Sequence, residues 1–172
     1  MPGGVNRATP SRRLRLGVSA CLLGERVRWD GRDQRDLFLA DVLGPFVEWV
    51  PVCPEVELGL GIPRDPIRLV GEARSPRLVV ERTGEDLTRR MRRYAAKRVR
   101  ELRKLELDGY VLKSRSPSCG LDGGMFATAL VRRLPALPVE DEARLGDPAI
   151  RERFVERALA ARRRRLGRSA GR

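Results

Sequence analysis

The chain has 172 residues, of which 41% are hydrophobic and only 5% aromatic. This length favours one domain with a mostly aliphatic core over two independent domains. The formal net charge is +13, with 36 basic residues against 23 acidic ones. Most of the basic residues are Arg, which grips phosphate through a planar fork, so the charge indicates a polyanionic partner and favours nucleic acid over a membrane. The alternative is an organism that favours Arg on all its protein surfaces.

The sequence gives no sign of a membrane or secreted protein. It contains no run of about 18 or more apolar residues, and its N-terminus lacks the apolar stretch and cleavage site of a signal peptide. Three cysteines are an odd number, widely spaced, which fits a disulfide framework poorly. We therefore expect a cytoplasmic protein whose cysteines bind metal or take part in catalysis.

Residues 1–13 are polar and basic and predict a flexible arm, followed by an α/β domain at residues 14–146. Short apolar segments predict four strands of one sheet. They are Leu14–Ala20, Phe46–Val52, Leu78–Val80 and Tyr110–Leu112. The segments between them have helical spacing, which argues for parallel pairing with helical crossovers. The predicted fold class is a single α/β domain, with a mostly parallel sheet flanked by helices.

Three helical segments are predicted. Leu37, Phe38 and Val42 mark the first, and an apolar pattern from Leu87 to Leu102, with a start near Thr83 and Asp86, marks the second. Residues 147–172 predict a basic, amphipathic C-terminal helix and tail.

Each cysteine lies beyond the carboxyl end of a predicted strand. Parallel strands place these ends along one edge of the sheet, where α/β proteins bind ligands. Cys21, Cys53 and Cys119 are therefore expected to meet in space. Taken singly, each has a simpler interpretation. Cys21 could be a small buried side chain that binds nothing. Cys53 could lie in an ordinary turn between two prolines, and Cys119 could lie in a polar loop without a ligand.

The chain has no histidine, which excludes zinc sites and nucleophile pairs that need one. Thiolates alone suit iron-sulfur clusters or zinc. Electron-transfer clusters normally take four Cys ligands, so three would leave one position of a four-iron cluster open. An open iron is a Lewis acid that can bind a substrate atom.

Three sequence blocks, SACLLGERVRWDG, PVCPEVELGLGIPR and KSRSPSCG, resemble the signature blocks of the thiouracil desulfurase (TudS-like) family. The resemblance covers about residues 15–142. It implies a 4Fe-4S cluster on Cys21, Cys53 and Cys119, whose free iron takes sulfur from a thiolated uracil and releases sulfide while water supplies the oxygen. It also implies that Glu55 and Ser116 are the catalytic pair.

Longer segments of the sequence are similar to one branch of this family, the RudS-like branch, which removes sulfur from 4-thiouridine in transfer RNA. Two of these segments are GEDLTRRMRRYAAKRVREL and DGYVLKSRSPSCG. Members of that branch usually carry a second, helical C-terminal domain. This sequence has a basic tail in its place, and its stretch from Gly120 to Phe126 looks short.

The expected substrate is therefore a thiolated uracil, and transfer RNA is the expected partner. Lys113, Ser114 and Arg115 are candidates for phosphate contact. Two groups of basic residues are predicted to form a surface for folded RNA. They are Arg89, Arg90, Arg92, Arg93, Lys97, Arg98 and Arg100 on the second helix and Arg162, Arg163, Arg164 and Arg165 in the tail. The alternative for these residues is a solvated helix face.

Three other functions remain open at this stage. One is desulfuration of free thiouracil or thio-UMP, which needs only a small pocket. A second is a non-catalytic RNA-binding or cluster-sensing protein. The third is a structural zinc protein.

Overall fold

The structure is a computed structural model that describes residues 13–170, with side chains through Arg168. The predicted basic arm therefore lies outside the described residues except for Arg13. The described residues form six strands: β1 Leu14–Ser19, β2 Val47–Val52, β3 Ile67–Val70, β4 Arg77–Val80, β5 Gly109–Leu112 and β6 Val139–Asp141. The helices are α1 Pro54–Glu57, α2 Thr88–Lys104, α3 Met125–Arg133 and α4 Pro148–Ala170. Among the described residues, no helix combines the length and the apolar character needed to cross a membrane.

The main sheet has the strand order β2-β1-β5-β6, and all its pairs are parallel. On one face, β1 packs with α4 residues such as Phe154 and Ala158. On the other, β5 packs with α2 and α3 through Val99, Leu102 and Phe126. The predicted fold class, a single α/β domain with a mostly parallel sheet flanked by helices, is confirmed.

The prediction that Leu78–Val80 belongs to the main sheet is wrong. This segment lies in β4, which pairs antiparallel with β3 in a separate two-stranded sheet. The connection, residues 71–76, is far shorter than the dozen or more residues that a parallel crossover needs. Leu78 and Val80 pack instead on Met91 of α2. The fourth strand of the main sheet is β6, which the sequence did not indicate.

The first predicted helix is present only as a six-residue π-helix at Phe38–Leu43. Its buried side chains are Leu39 and Leu43, whereas Leu37 and Val42 are exposed. The predicted second helix is α2, whose buried positions include Met91, Val99 and Leu102. It begins at Thr88, whose backbone N–H donates to Asp86.

Helix α4 is fixed to the sheet by a buried ion pair. Arg165 Nε donates to Asp108 Oδ1 at 2.9 Å, and a second guanidinium nitrogen donates to Oδ2 at 2.7 Å. Only 4% of the Arg165 side chain and 1% of the Asp108 side chain are exposed. Arg165 was predicted to face RNA, and that prediction is wrong, because its guanidinium is buried against the carboxylate.

Candidate active site

A cavity of about 570 Å³ opens at the carboxyl ends of β1, β2 and β5. Cys21, Cys53 and Cys119 all line it. The other residues singled out from the sequence line the same cavity: Glu55, Lys113, Ser114, Arg115 and Ser116. The three cysteines, which lie far apart in the chain, therefore meet at one cavity, as expected from their positions after the strands.

Cys21 and Cys53 follow their strands directly. Cys21 lies in a single 3-10 turn, Ala20–Leu23, which ends at Gly24 with φ +94°. The Gly24 N–H donates to the Cys21 carbonyl at 3.2 Å, which closes the turn. Cys53 lies between β2 and α1, and its Sγ is 3.7 Å from the Val27 carbonyl oxygen.

Cys119 is held by a tight loop after β5. The Ser116 hydroxyl oxygen accepts hydrogen bonds from the backbone N–H groups of Ser118, at 3.2 Å, and Cys119, at 3.0 Å. A Cβ on Gly120 would lie 2.7 Å from the Ser116 carbonyl oxygen. Gly124 is equally confined, since its Cβ would lie 2.7 Å from Gly120 backbone atoms. The two glycines thus let the loop fold closely around Cys119.

The three thiols are hard to ionise. Burial, with a smaller contribution from Cys53, raises the pKa of Cys21 to about 11. Burial likewise raises the pKa of Cys53 and that of Cys119. Metal binding requires thiolates, so a cation entering the cavity would displace these protons.

This donor set fits a thiolate-bound cluster. Soft thiols, with no histidine in the chain, are the ligands of iron-sulfur centres. In the described part of the chain, no three Cys, Asp or Glu side chains are grouped closely enough to hold a single metal ion. Cys21, Cys53 and Cys119 are instead spread around one cavity, and they are the residues that could hold a multi-atom group there.

Glu55 on α1 is fixed from two sides. Its Oε1 accepts a hydrogen bond from Ser118 Oγ at 2.9 Å, and its Oε2 accepts from Arg64 Nε at 2.9 Å. Ser118 is fully buried, and only 5% of the Arg64 side chain is exposed. A carboxylate that is only 13% exposed and is paired with Arg in this way is an acceptor in a fixed orientation.

Lys113 and Ser114 are tied to a carboxylate at the cavity wall. Lys113 Nζ lies 2.6 Å from Glu142 Oε1, and the Ser114 N–H donates to Oε2 at 2.7 Å. Burial alone would raise the pKa of Glu142, but the hydrogen bonds from Lys113 and Ser114 outweigh it and hold that pKa below its usual range. By contrast, Arg115 is exposed, with φ +54°.

A thiol-lined cavity with an ion-paired carboxylate, at the carboxyl ends of parallel strands, is the arrangement of an α/β enzyme. The family model described as 2-thiouracil desulfurase matches residues 16–142, most of the chain. The chain belongs to the 2-thiouracil desulfurase family.

Two further comparisons agree with this membership. The solved structure of the 4Fe-4S-dependent thiouracil desulfidase TudS superposes with a TM-score of 0.64 at 32% identity, covering 83% of this chain and 99% of that one. The uncharacterized protein YbbK of Bacillus subtilis (strain 168) is 30% identical over 108 residues, which are 60% of this chain and 71% of YbbK.

Sequence reasoning missed two residues that contact Glu55. Ser118 stands beside Cys119 in SPSC and was not distinguished from its neighbours. Arg64 is nine positions after Glu55 in an irregular loop, where no periodic pattern predicts contact. The signal that could have found Arg64 is the group Gly59, Gly61 and Pro63, which lies between Glu55 and Arg64 and is typical of a chain that turns back.

Proposed function

We propose that this chain is a 4Fe-4S-dependent desulfidase that removes sulfur from thiolated uracil, and that its substrate is 4-thiouridine in transfer RNA. The observation that carries the proposal is the convergence of Cys21, Cys53 and Cys119 on one cavity beside Glu55. Family membership supports the reaction type. The name of the solved relative TudS supports the cofactor.

In this proposal the three cysteines hold a 4Fe-4S cluster and leave one iron without a protein ligand. When bound, the cluster supplies a Lewis acid for a soft thiocarbonyl sulfur. The surrounding residues bind the pyrimidine, orient water and move protons.

Glu55 is the proposed base. Arg64 and Ser118 donate to its two oxygens, which leaves the remaining lone pairs of an ionised carboxylate to accept a proton from water. The water oxygen forms a bond to the ring carbon as the carbon–sulfur bond breaks. Both water protons end on the departing sulfur, one of them through Glu55, so that water and thiouracil give uracil and hydrogen sulfide.

Ser116 is the proposed hydrogen-bond donor to the substrate. Its oxygen already accepts two backbone N–H groups, which occupies its lone pairs. Its hydroxyl hydrogen is therefore the group left to point into the cavity, toward a ring atom or the developing oxyanion.

Transfer RNA as the substrate is supported by charge. The chain carries +13, and Arg89, Arg93 and Arg100 of α2 are exposed. At the cavity, Lys113 and Ser114 are engaged with Glu142, so we assign phosphate contact first to Arg115. A thiolated base inside folded RNA has to leave its stack to enter the cavity.

Glu55→Gln tests the catalytic assignment, because glutamine keeps the shape but cannot take the proton. We expect sulfide release to fall by about 10²- to 10⁴-fold while cluster absorbance is retained. Glu72→Gln, at an exposed position outside the cavity, is the matched control. Full sulfide release by Glu55→Gln would remove Glu55 from the mechanism. Loss of release with an intact cluster contradicts a non-catalytic, cluster-sensing role.

Desulfuration of free thiouracil or thio-UMP is the second candidate. The name of the solved relative, a thiouracil desulfidase, favours it. This reaction would use the same three cysteines together with Glu55 and Ser116. The two candidates differ only in whether the thiolated base is free, part of a mononucleotide or part of an RNA chain. A structural zinc protein is set aside by family membership, and metal analysis that finds zinc without iron would restore it.

A further inference from the structure

Trp29 stands at the mouth of the thiol-lined cavity. Its side chain contributes to the cavity wall, yet 44% of the residue is exposed to solvent. Tryptophan carries the largest apolar surface of any side chain and gains free energy when that surface is covered. Ile62, which is also 44% exposed, lies beside the same loop, where its Cγ2 would be 3.9 Å from a Cβ on Gly31. The cavity therefore has an exposed aromatic side chain, Trp29, at its mouth, and the exposed Ile62 lies beside the loop that carries it.

The backbone presents Trp29 in a fixed position. The Gly31 N–H donates to the Arg28 carbonyl at 3.0 Å, and Gly31 adopts φ +74°, which glycine allows without strain. The Arg64 N–H donates to the Trp29 carbonyl at 2.9 Å, so the loop is tied to the segment that also fixes Glu55. A side chain whose backbone is already fixed before a ligand arrives loses less freedom on binding than one on a loose loop.

Arg115 lies on another loop at the same cavity. It is exposed, and no hydrogen bond or ion pair of its side chain occurs among the side chains that the structure describes, those of residues 13–168. An indole face together with a free guanidinium is the pairing that binds single-stranded nucleic acid, since bases stack on the ring and phosphate pairs with the cation. A free pyrimidine offers no phosphate to Arg115.

Resting on the proposed desulfidase function, we propose that Trp29 stacks on a nucleobase next to the thiolated uridine. The thiolated base enters the cavity, and its neighbour in the RNA strand covers the indole at the mouth. Trp29 then selects for a polynucleotide substrate over the free base.

Kinetics of Trp29→Ala test the selection. Stacking of one base on an aromatic ring contributes ~1–3 kcal/mol, which corresponds to about 5- to 150-fold. We expect the ratio of kcat/KM for a 4-thiouridine-containing oligonucleotide to kcat/KM for free 4-thiouracil to fall by this factor. Trp29→Phe, which keeps an aromatic face, is expected to retain most of the ratio. An unchanged ratio in Trp29→Ala overturns the inference.

Fluorescence provides a readout independent of turnover. The chain has two tryptophans, so Trp49→Phe leaves Trp29 as the only one. Trp49 lies on β2, is partly buried against the core and does not line the cavity, so its replacement is also the control for the kinetics. Titration of the cluster-loaded Trp49→Phe protein with an unmodified uridine pentanucleotide should change the Trp29 emission. The Trp29→Phe protein, in which Trp49 remains, should show no change.

The outcomes separate the inference from the proposed function. A change in emission without sulfide release from RNA supports stacking and contradicts the proposed substrate. Sulfide release from RNA with no change in emission supports the substrate and overturns stacking. Release from free thiouracil alone, with no change in emission, overturns both.

Discussion

Arg64 clamps the carboxylate of Glu55 through two nitrogens that reach the same oxygen, Nε at 2.9 Å and a terminal nitrogen at 2.8 Å from Oε2. The exposed fractions of the two side chains are 5% and 13%. Because the Ser118 hydroxyl occupies the other oxygen, the direction of the carboxylate is set by the protein before any substrate arrives.

Arg64→Lys is expected to reduce kcat by about 10- to 100-fold. One ammonium nitrogen cannot replace the two guanidinium nitrogens that contact Oε2, and small misplacements of a catalytic group are costly. Sulfide release and cluster absorbance would be measured together. Arg82→Lys makes the same change in the exposed pair with Asp65 and should leave kcat unaltered. A kcat that stays at the wild-type value in Arg64→Lys would show that the clamp does not position Glu55.

Arg165→Ala should destabilise the fold. Removing one partner of a buried ion pair leaves the other charge unpaired and costs about 3–5 kcal/mol. Asp108 would lose both hydrogen bonds from α4. Urea unfolding measures the change in the free energy of unfolding. Arg164→Ala, at the adjacent exposed position, is the control and should lie within about 0.5 kcal/mol of wild type. Equal stabilities of the two variants would contradict the role of the pair.

Gly120→Ala should lower cluster loading. The added methyl would lie 2.7 Å from the Ser116 carbonyl oxygen, so the loop that carries Cys119 must shift. Iron and acid-labile sulfide per chain after anaerobic reconstitution are the measurements. Gly146→Ala has open space around its Cβ and serves as the control. If both variants load iron as well as wild type does, the Gly120 contact does not shape the site.

Glu142 should make stability depend on pH in the acidic range. Its pKa is lowered in the folded state, so its stabilising contribution is complete above the unfolded value near 4.5. That contribution is lost as the pH falls through the lower, folded pKa. Glu142→Gln is expected to flatten unfolding free energy against pH between about pH 5 and pH 3. Glu72→Gln, at an exposed site, should keep the wild-type slope. A wild-type slope in Glu142→Gln would contradict the assignment.

The sequence was most informative where local patterns coincide with topology. The apolar segments before Cys21 and Cys53 predicted β1 and β2 closely, because buried parallel strands are short apolar runs. Helix α2 followed from the spacing of Met91, Val99 and Leu102. Since parallel strands end at one edge, the grouping of the cysteine loops followed without any knowledge of their contacts.

The sequence pattern did not predict which charged residues form ion pairs or are buried. Arg165 lies in a run of four arginines, and only the position of Asp108, immediately before β5, decides that this one is buried. Strand β4 has an apolar run like those of the main sheet. Its short connection to β3 nevertheless makes the two strands an antiparallel hairpin. The contact between Arg64 and Glu55 joins an irregular loop to the one-turn helix α1, and no periodic pattern predicts it.

Sulfide release under anaerobic conditions tests the central claim most directly. Reconstituted protein would be offered 4-thiouridine in transfer RNA, thio-UMP and free 4-thiouracil at matched concentrations, beside the Cys119→Ser variant. We expect release from transfer RNA with the highest kcat/KM, and no release by Cys119→Ser, which lacks one of the three proposed cluster ligands. Release by an iron-free protein, or undiminished release by Cys119→Ser, would contradict the cluster. Release from the monomers alone would contradict transfer RNA as the substrate.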